Sequence, residues 1–193
     1  MSLAAPTTST QNATIDALVY ALPLSPYVSV ANSMSVASAS NVFATNTFVH
    51  VTALANASSR TVVLPNTDTL YSAALLDLSA GDVVRELRRF YVFKPFYDLY
   101  GNNVCSIGTV TNSIAGKYLI QYRPSNAGCD LIPEASDGYA GTISLPTVYG
   151  QILLRIEVFN SSDVDHIVST IQPHFTTKHS FVRCPSTHIR PTQ

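Results

Sequence analysis

A chain of 193 residues is long enough to bury one sizeable core and short of what two ordinary domains need. Its formal net charge of -1 and 12% charged residues, with only Arg85, Arg88 and Arg89 as neighbouring cations, exclude the electrostatic footprint of a nucleic-acid binder. No apolar run approaches the length of a membrane span. Met1 to Thr14 carries no basic start and no apolar stretch, so no signal peptide is visible and a cytoplasmic location is expected. Cys105, Cys129 and Cys184 form an odd set without paired spacing, which predicts free, buried thiols and no disulfide framework.

Taken in chain order, residues 1–13 read as a flexible arm. From Thr14 the apolar Ile15, Leu18, Val19 and Leu22 recur at helical spacing, with Asn12 or Thr14 as cap, and predict a helix to about Pro23. Residues 29–47 show Ser and Asn clusters and little periodicity. From Arg60 the chain turns to short β-type runs divided by Gly, Pro and Asn, predicting strands over 61–64, 69–77, 82–87, 90–97, 103–109, 117–123, 140–145 and 150–159. In the last of these Ile152, Leu154, Ile156 and Val158 alternate with Gln151, Arg155 and Glu157, so one face is core and the other polar. A capping box of Ser162 and Asp165 then opens a helix whose stripe of Val164, Ile167, Val168 and Ile171 ends at Pro173. Residues 14–175 therefore read as a single mainly β (α+β) domain, an antiparallel β-sandwich or partial barrel with a helix near each end, followed by a tail over 176–193.

His174, His179, Cys184 and His188 gather near the C-terminus, but their spacing fits no structural zinc pattern and no metal site is expected. The chain holds no Gly-rich phosphate cradle and no Gly-x-Ser-x-Gly elbow, so neither a cofactor nor an esterase triad has an anchor. What remains is a group of polar residues at strand ends. Between two apolar runs, Val62 to Ser72 sets the cluster Asn66-Thr67-Asp68, which reads first as a turn because these short side chains bond nearby backbone. Asp98 followed by Tyr100-Gly101-Asn102-Asn103 reads the same way. If the strands pair as neighbours these groups converge, and burial then raises a carboxyl pKa toward values useful in general acid–base catalysis. On that reasoning Asp68, Asp98 and Tyr71 are candidate catalytic groups, and Asn66, Tyr97, Asn102, His50 and Arg155 candidate substrate-binding groups.

The segment Val63-Leu64-Pro65-Asn66-Thr67-Asp68-Thr69-Leu70-Tyr71-Ser72 with Asp77-Leu78 resembles the signature of the domain of unknown function catalogued as family 1254. Asn46 to His50 precedes it, and Tyr91-Val92-Phe93, Phe96 to Asn103, Ile107-Gly108-Thr109, Ala115 to Ile120, and Leu145-Pro146-Thr147 leading to Ile152-Leu153-Leu154-Arg155 follow in the expected order. The resemblance implies a β-rich domain, usually followed in longer members by a jelly-roll domain catalogued as 1214, and many members look exported. Within these 193 residues that partner is expected to be absent. The chain is expected to work alone, to associate with a second copy or a 1214-type domain, or to be a shortened remnant. Where family members carry a longer hairpin with acidic and Gly residues, Arg85-Glu86-Leu87-Arg88-Arg89 bridges the gap, and the turn chemistry of a hairpin is missing. The resemblance brings no settled reaction. Two readings follow: a small-molecule tailoring enzyme of isomerase, hydratase or cyclase type acting in a β-lined pocket, or a noncatalytic binding or assembly module in which the same motif is a structural turn.

Overall fold

The computed structural model describes residues 8–22, 24, 25, 28, 45–59, 65–87, 92–131 and 138–176. The expected strand over 61–64, the residues His179, Cys184 and His188, and the tail beyond Thr176 lie outside them. Helix α1 spans Thr8–Ala21, so it starts earlier than the spacing predicts and takes in residues 8–13 of the expected arm. Asn12 and Thr14 are interior to it and cap nothing; the Thr14 hydroxyl donates back to the Thr10 carbonyl at 2.8 Å. The apolar stripe of Ile15, Leu18, Val19 and Leu22 is present but exposed.

Among the described residues nine strands follow: β1 (Phe48–His50), β2 (Thr69–Asp77), β3 (Val83–Leu87), β4 (Val92–Asp98), β5 (Asn103–Gly108), β6 (Gly116–Tyr122), β7 (Gly128–Asp130), β8 (Gly141–Leu145) and β9 (Tyr149–Glu157). Period-two alternation marks β6 and β9 in the sequence, whereas β1 and β7, three residues each, are too short to show a period. One sheet has the order β1-β2-β9-β4-β5 and the other β3-β6-β8-β7. The first sheet is antiparallel throughout. The second departs from the antiparallel expectation. After β6 the chain runs to the sheet edge as β7 and returns as β8 between them, so β8 is antiparallel to β7 and parallel to β6.

β3 pairs with β6 and β4 with β5 and β9, so β3 and β4 belong to different sheets. The missing hairpin chemistry after Val84 thus coincides with a crossing between layers. Within β4, Pro95 has no N–H to give, and the paired residues against β9 step from Phe93 opposite Arg155 to Phe96 opposite Ile152. The register shift against β5 between Phe96 and Tyr97 follows immediately.

The core lies between the sheets. Leu70, Ala74, Leu76, Phe96, Ile107, Ile152, Leu154 and Ile156 come from the first, and Val83, Tyr118, Ile120, Ile143 and Leu145 from the second. A C-terminal helical segment covers one side through Ile167, Ile171 and Phe175. It consists of α2 (Asp163–His166), a π-helical stretch over Ile167–Ile171, and α3 (Pro173–Thr176). Pro173 does not end this segment, because at the first position of a new turn its missing N–H breaks no bond. The predicted capping box is absent: Ser162 makes no side-chain cap bond, and Asp163 accepts the Asn160 N–H at 3.0 Å instead.

The free-thiol expectation is corrected as well. Cys105 on β5 and Cys129 on β7 form a disulfide with Cα atoms 5.5 Å apart, joining the two sheets across a sequence separation of 24. Spacing along the chain carries no trace of this, because the pairing is made by sheet packing. A loop of that length implies that the bridge stabilises the fold by about 3 to 4 kcal/mol. Cys105→Ser with Cys129→Ser is expected to lower the unfolding free energy by that amount in urea titration. An unchanged midpoint would show that the sheets hold without it.

Candidate functional site

Arg155 stands on β9 between Leu154 and Ile156, which face the core, so its own side chain leaves from the opposite face of the sheet. Residues paired directly across a sheet share a face. Tyr71 on β2 and Phe93 on β4 both lie opposite Arg155, and Thr69 lies opposite Glu157. These five side chains therefore form one patch at one end of the first sheet. Two turns rise beside it. The Asn66-Thr67-Asp68 turn precedes β2, and a 3-10 turn over Thr109–Thr111 leaves β5 through Gly108, whose φ of 146° suits glycine.

Asn66, Asp68, Thr69, Phe93, Thr109, Val110, Arg155 and Glu157 line a cavity of about 290 Å³. That is near the low end of the range for small-ligand sites. Its walls are fixed by hydrogen bonds. The Asn66 N–H donates to the Tyr71 hydroxyl at 2.9 Å, the Val158 N–H donates to the Asp68 carbonyl at 2.8 Å, and the Thr69 hydroxyl donates to Asp68 Oδ1 at 3.0 Å. On the other wall the Thr111 hydroxyl and the Ser113 N–H both donate to the Gly108 carbonyl at 3.1 Å. Arg155 is half-buried, its Cζ 5.9 Å from the centre of the Phe93 ring, and its buried Nε has no hydrogen-bond partner among the described residues. Asp68 and Glu157 are exposed at the mouth. Among the described residues the cavity thus offers one cation, two carboxylates, an aromatic ring and two threonines to a small polar molecule.

The structure brings together Asn66, Asp68 and Arg155, and sets Tyr71 just behind them. The other candidates lie elsewhere. Asp98 pairs with Gly150 while Phe93 pairs with Arg155, five residues away along β4, which is about 16 Å of strand. Asp98 is buried, and its two oxygens accept the Tyr100 N–H at 2.9 Å, the Asn102 N–H at 2.8 Å and the Asn102 side-chain amide at 2.8 Å. Those bonds make it the staple of a turn, and they hold Asn102 there, with Tyr97 next to it in sequence. Asp68 and Asp98 therefore do not share a cavity.

His50 lies at a third place, on β1. Its Nδ1 is 2.7 Å from the hydroxyl of the wholly buried Ser72, and the Gln172 side-chain amide donates to the Val51 carbonyl at 2.9 Å beside it. Thr69, Phe93, Thr109, Val110 and Glu157 are the cavity residues that sequence reasoning did not single out. Glu157 carried a signal, since it shares the polar face of the best-patterned strand with Arg155; Thr109 and Val110 enter only through the turn after β5.

Burial lowers the His50 pKa below its ordinary 6.5. The unfolded chain then takes up a proton near 6.5 while the folded chain does so only at lower pH. The stabilisation from neutral His50 is complete above 6.5 and is lost as the pH falls through the lowered value. The melting temperature is expected to drop on going from about pH 7.5 to about pH 5.5, and to drop less in His50→Gln, followed by circular dichroism. An equal drop in both proteins would remove His50 from the acid response.

The family model described as Protein of unknown function (DUF1254) matches residues 45–179. The crystal structure of the VPA0106 protein from Vibrio parahaemolyticus resembles this chain with a TM-score of 0.50 at 14% identity, covering 78% of this chain and 36% of that one. That likeness is one of fold, and the chain spans about a third of that protein's length. No curated protein matches the chain.

Proposed function

The chain belongs to the DUF1254 family of proteins of unknown function, and we propose that the cavity at the end of β2 and β9 binds a small polar molecule, with Asp68 moving a proton on it. The observation that carries this reading is that Asn66 and Asp68 line one cavity with Arg155, far from them in the chain, and that the buried Arg155 Nε has no partner among the described residues. A buried donor left unbonded costs about 1 to 3 kcal/mol, a cost that a ligand acceptor relieves. In this reading Arg155 anchors an oxygen-bearing group, and the Asn66 amide with the hydroxyls of Thr69 and Thr109 orients the rest. Asp68 at the mouth is the acid–base group of an isomerase, hydratase or cyclase type of reaction. Tyr71 is a positioning residue, because its hydroxyl holds the Asn66 N–H and so fixes the wall. The disulfide favours an oxidising compartment over the cytoplasm that the sequence alone suggests.

A second reading keeps the binding and drops the chemistry. It is favoured by the bonds inside the motif, which make Pro65 to Tyr71 a structural turn whatever else it does. Incubating purified protein with a metabolite extract, followed by dialysis and mass spectrometry, separates the two. Wild type is expected to retain a compound and convert it. Arg155→Gln should lose retention by tenfold or more, about 1.4 kcal/mol, without a lower melting temperature. Asp68→Asn should retain the compound and leave it unconverted. Conversion by Asp68→Asn at the wild-type rate would leave only the binding reading, and full retention by Arg155→Gln would place the site elsewhere.

A further inference from the structure

The charges that line the cavity do not neutralise one another. Among the described residues Arg155 forms no ion pair, although Asp68 and Glu157 line the same space. The register accounts for this separation. Glu157 is two residues beyond Arg155 on the same face of β9 and lies opposite Thr69, the neighbour of Asp68, so both carboxylates sit toward the start of β2. The Arg155 guanidinium instead leans toward Phe93 on β4. Positive charge stands on one side of the cavity and negative charge on the other.

We propose that this cavity selects a small zwitterion of the α-amino-acid kind, its carboxylate on Arg155 and its ammonium between Asp68 and Glu157. The inference rests on the small-molecule reading above and adds the ligand class to it. A guanidinium takes a carboxylate through two parallel N–H bonds, and Nε is one of the donors that such a fork uses. A plain anion held on Arg155 would meet the field of two nearby carboxylates. A plain cation at the mouth would meet that of the guanidinium. Only a ligand with both charges, placed a few bonds apart, satisfies the two ends together. Phe93 and Val110 give its side chain an apolar wall, and the volume of about 290 Å³ suits a molecule of amino-acid size.

The test is an NMR titration of wild-type protein with each of the twenty common amino acids, then with the N-acetyl and the C-terminal amide forms of the one that binds best. At least one free amino acid should bind, and blocking either end should weaken it tenfold or more. Arg155→Gln should lose the preference for the acid over the amide, and Asp68→Asn with Glu157→Gln the preference for the free amine over the N-acetyl form. Equal binding of blocked and free forms, or no binding by any amino acid, overturns the inference. If metabolites from the extract are still retained through Arg155 in that case, the small-molecule site stands and only its ligand class falls. If nothing is retained either, both fall.

Discussion

β2 and β9 pair residue for residue from Thr69 opposite Glu157 to Asp77 opposite Tyr149, and this register divides the protein into a structural side and a chemical side. On one face Leu70, Ala74 and Leu76 meet Ile152, Leu154 and Ile156 in the core. On the other, Thr69, Arg155 and Glu157 border the cavity. Because strand side chains alternate, a slip of one residue would turn Arg155 into the core and the isoleucines to solvent. Each large aliphatic side chain is worth about 1.5 to 3 kcal/mol when buried, so the core alone enforces the register. The geometry of the cavity is therefore secured by groups that never touch it.

The weaker edge of the same sheet is held differently. β1 is three residues long, and Phe48 anchors it by reaching the core. Arg85 from the second sheet and Lys94 from β4 place their charges 5.6 and 5.9 Å from the Phe48 ring, and Lys94 lies 4.8 Å from Phe175 of the C-terminal helical segment. Arg85 also donates to the Asn46 carbonyl, and burial pushes its pKa down to about 10. Aromatic faces help to make these cations tolerable in an apolar interior. Gln172 ties the helical segment to Val51 just past β1, so sheet edge and helix close the core together.

How much of this was legible depends on the length and locality of each signal. β9 announces itself by nine residues of alternation and β2 by a largely apolar run, and the Asn66-Thr67-Asp68 cluster and Arg155 stand out against them. The turn reading of that cluster matches its backbone, and Asn66 and Asp68 also line the cavity. Asp98 looked equivalent on paper, with the same neighbours of Tyr and Asn. Only the direction of β4 against β9 places it at the far end of the sheet, and direction is a tertiary fact. The disulfide, the parallel pairing of β6 with β8 and the wall made by Thr109 and Val110 share that origin: each joins segments with no common local pattern.

The cavity depends on the register of β2 against β9, and cysteine trapping measures that register directly. In a Cys184→Ser background, Thr69→Cys with Glu157→Cys should oxidise to an intramolecular disulfide under native conditions, since directly opposite residues have the Cα spacing that a disulfide needs. Thr69→Cys with Ile156→Cys should not, because the two side chains leave opposite faces of the sheet. Rapid bridging of 69 to 157 alone is the predicted result. Bridging of 69 to 156 in its place would mean that the register, and with it the cavity built on Arg155, is wrong.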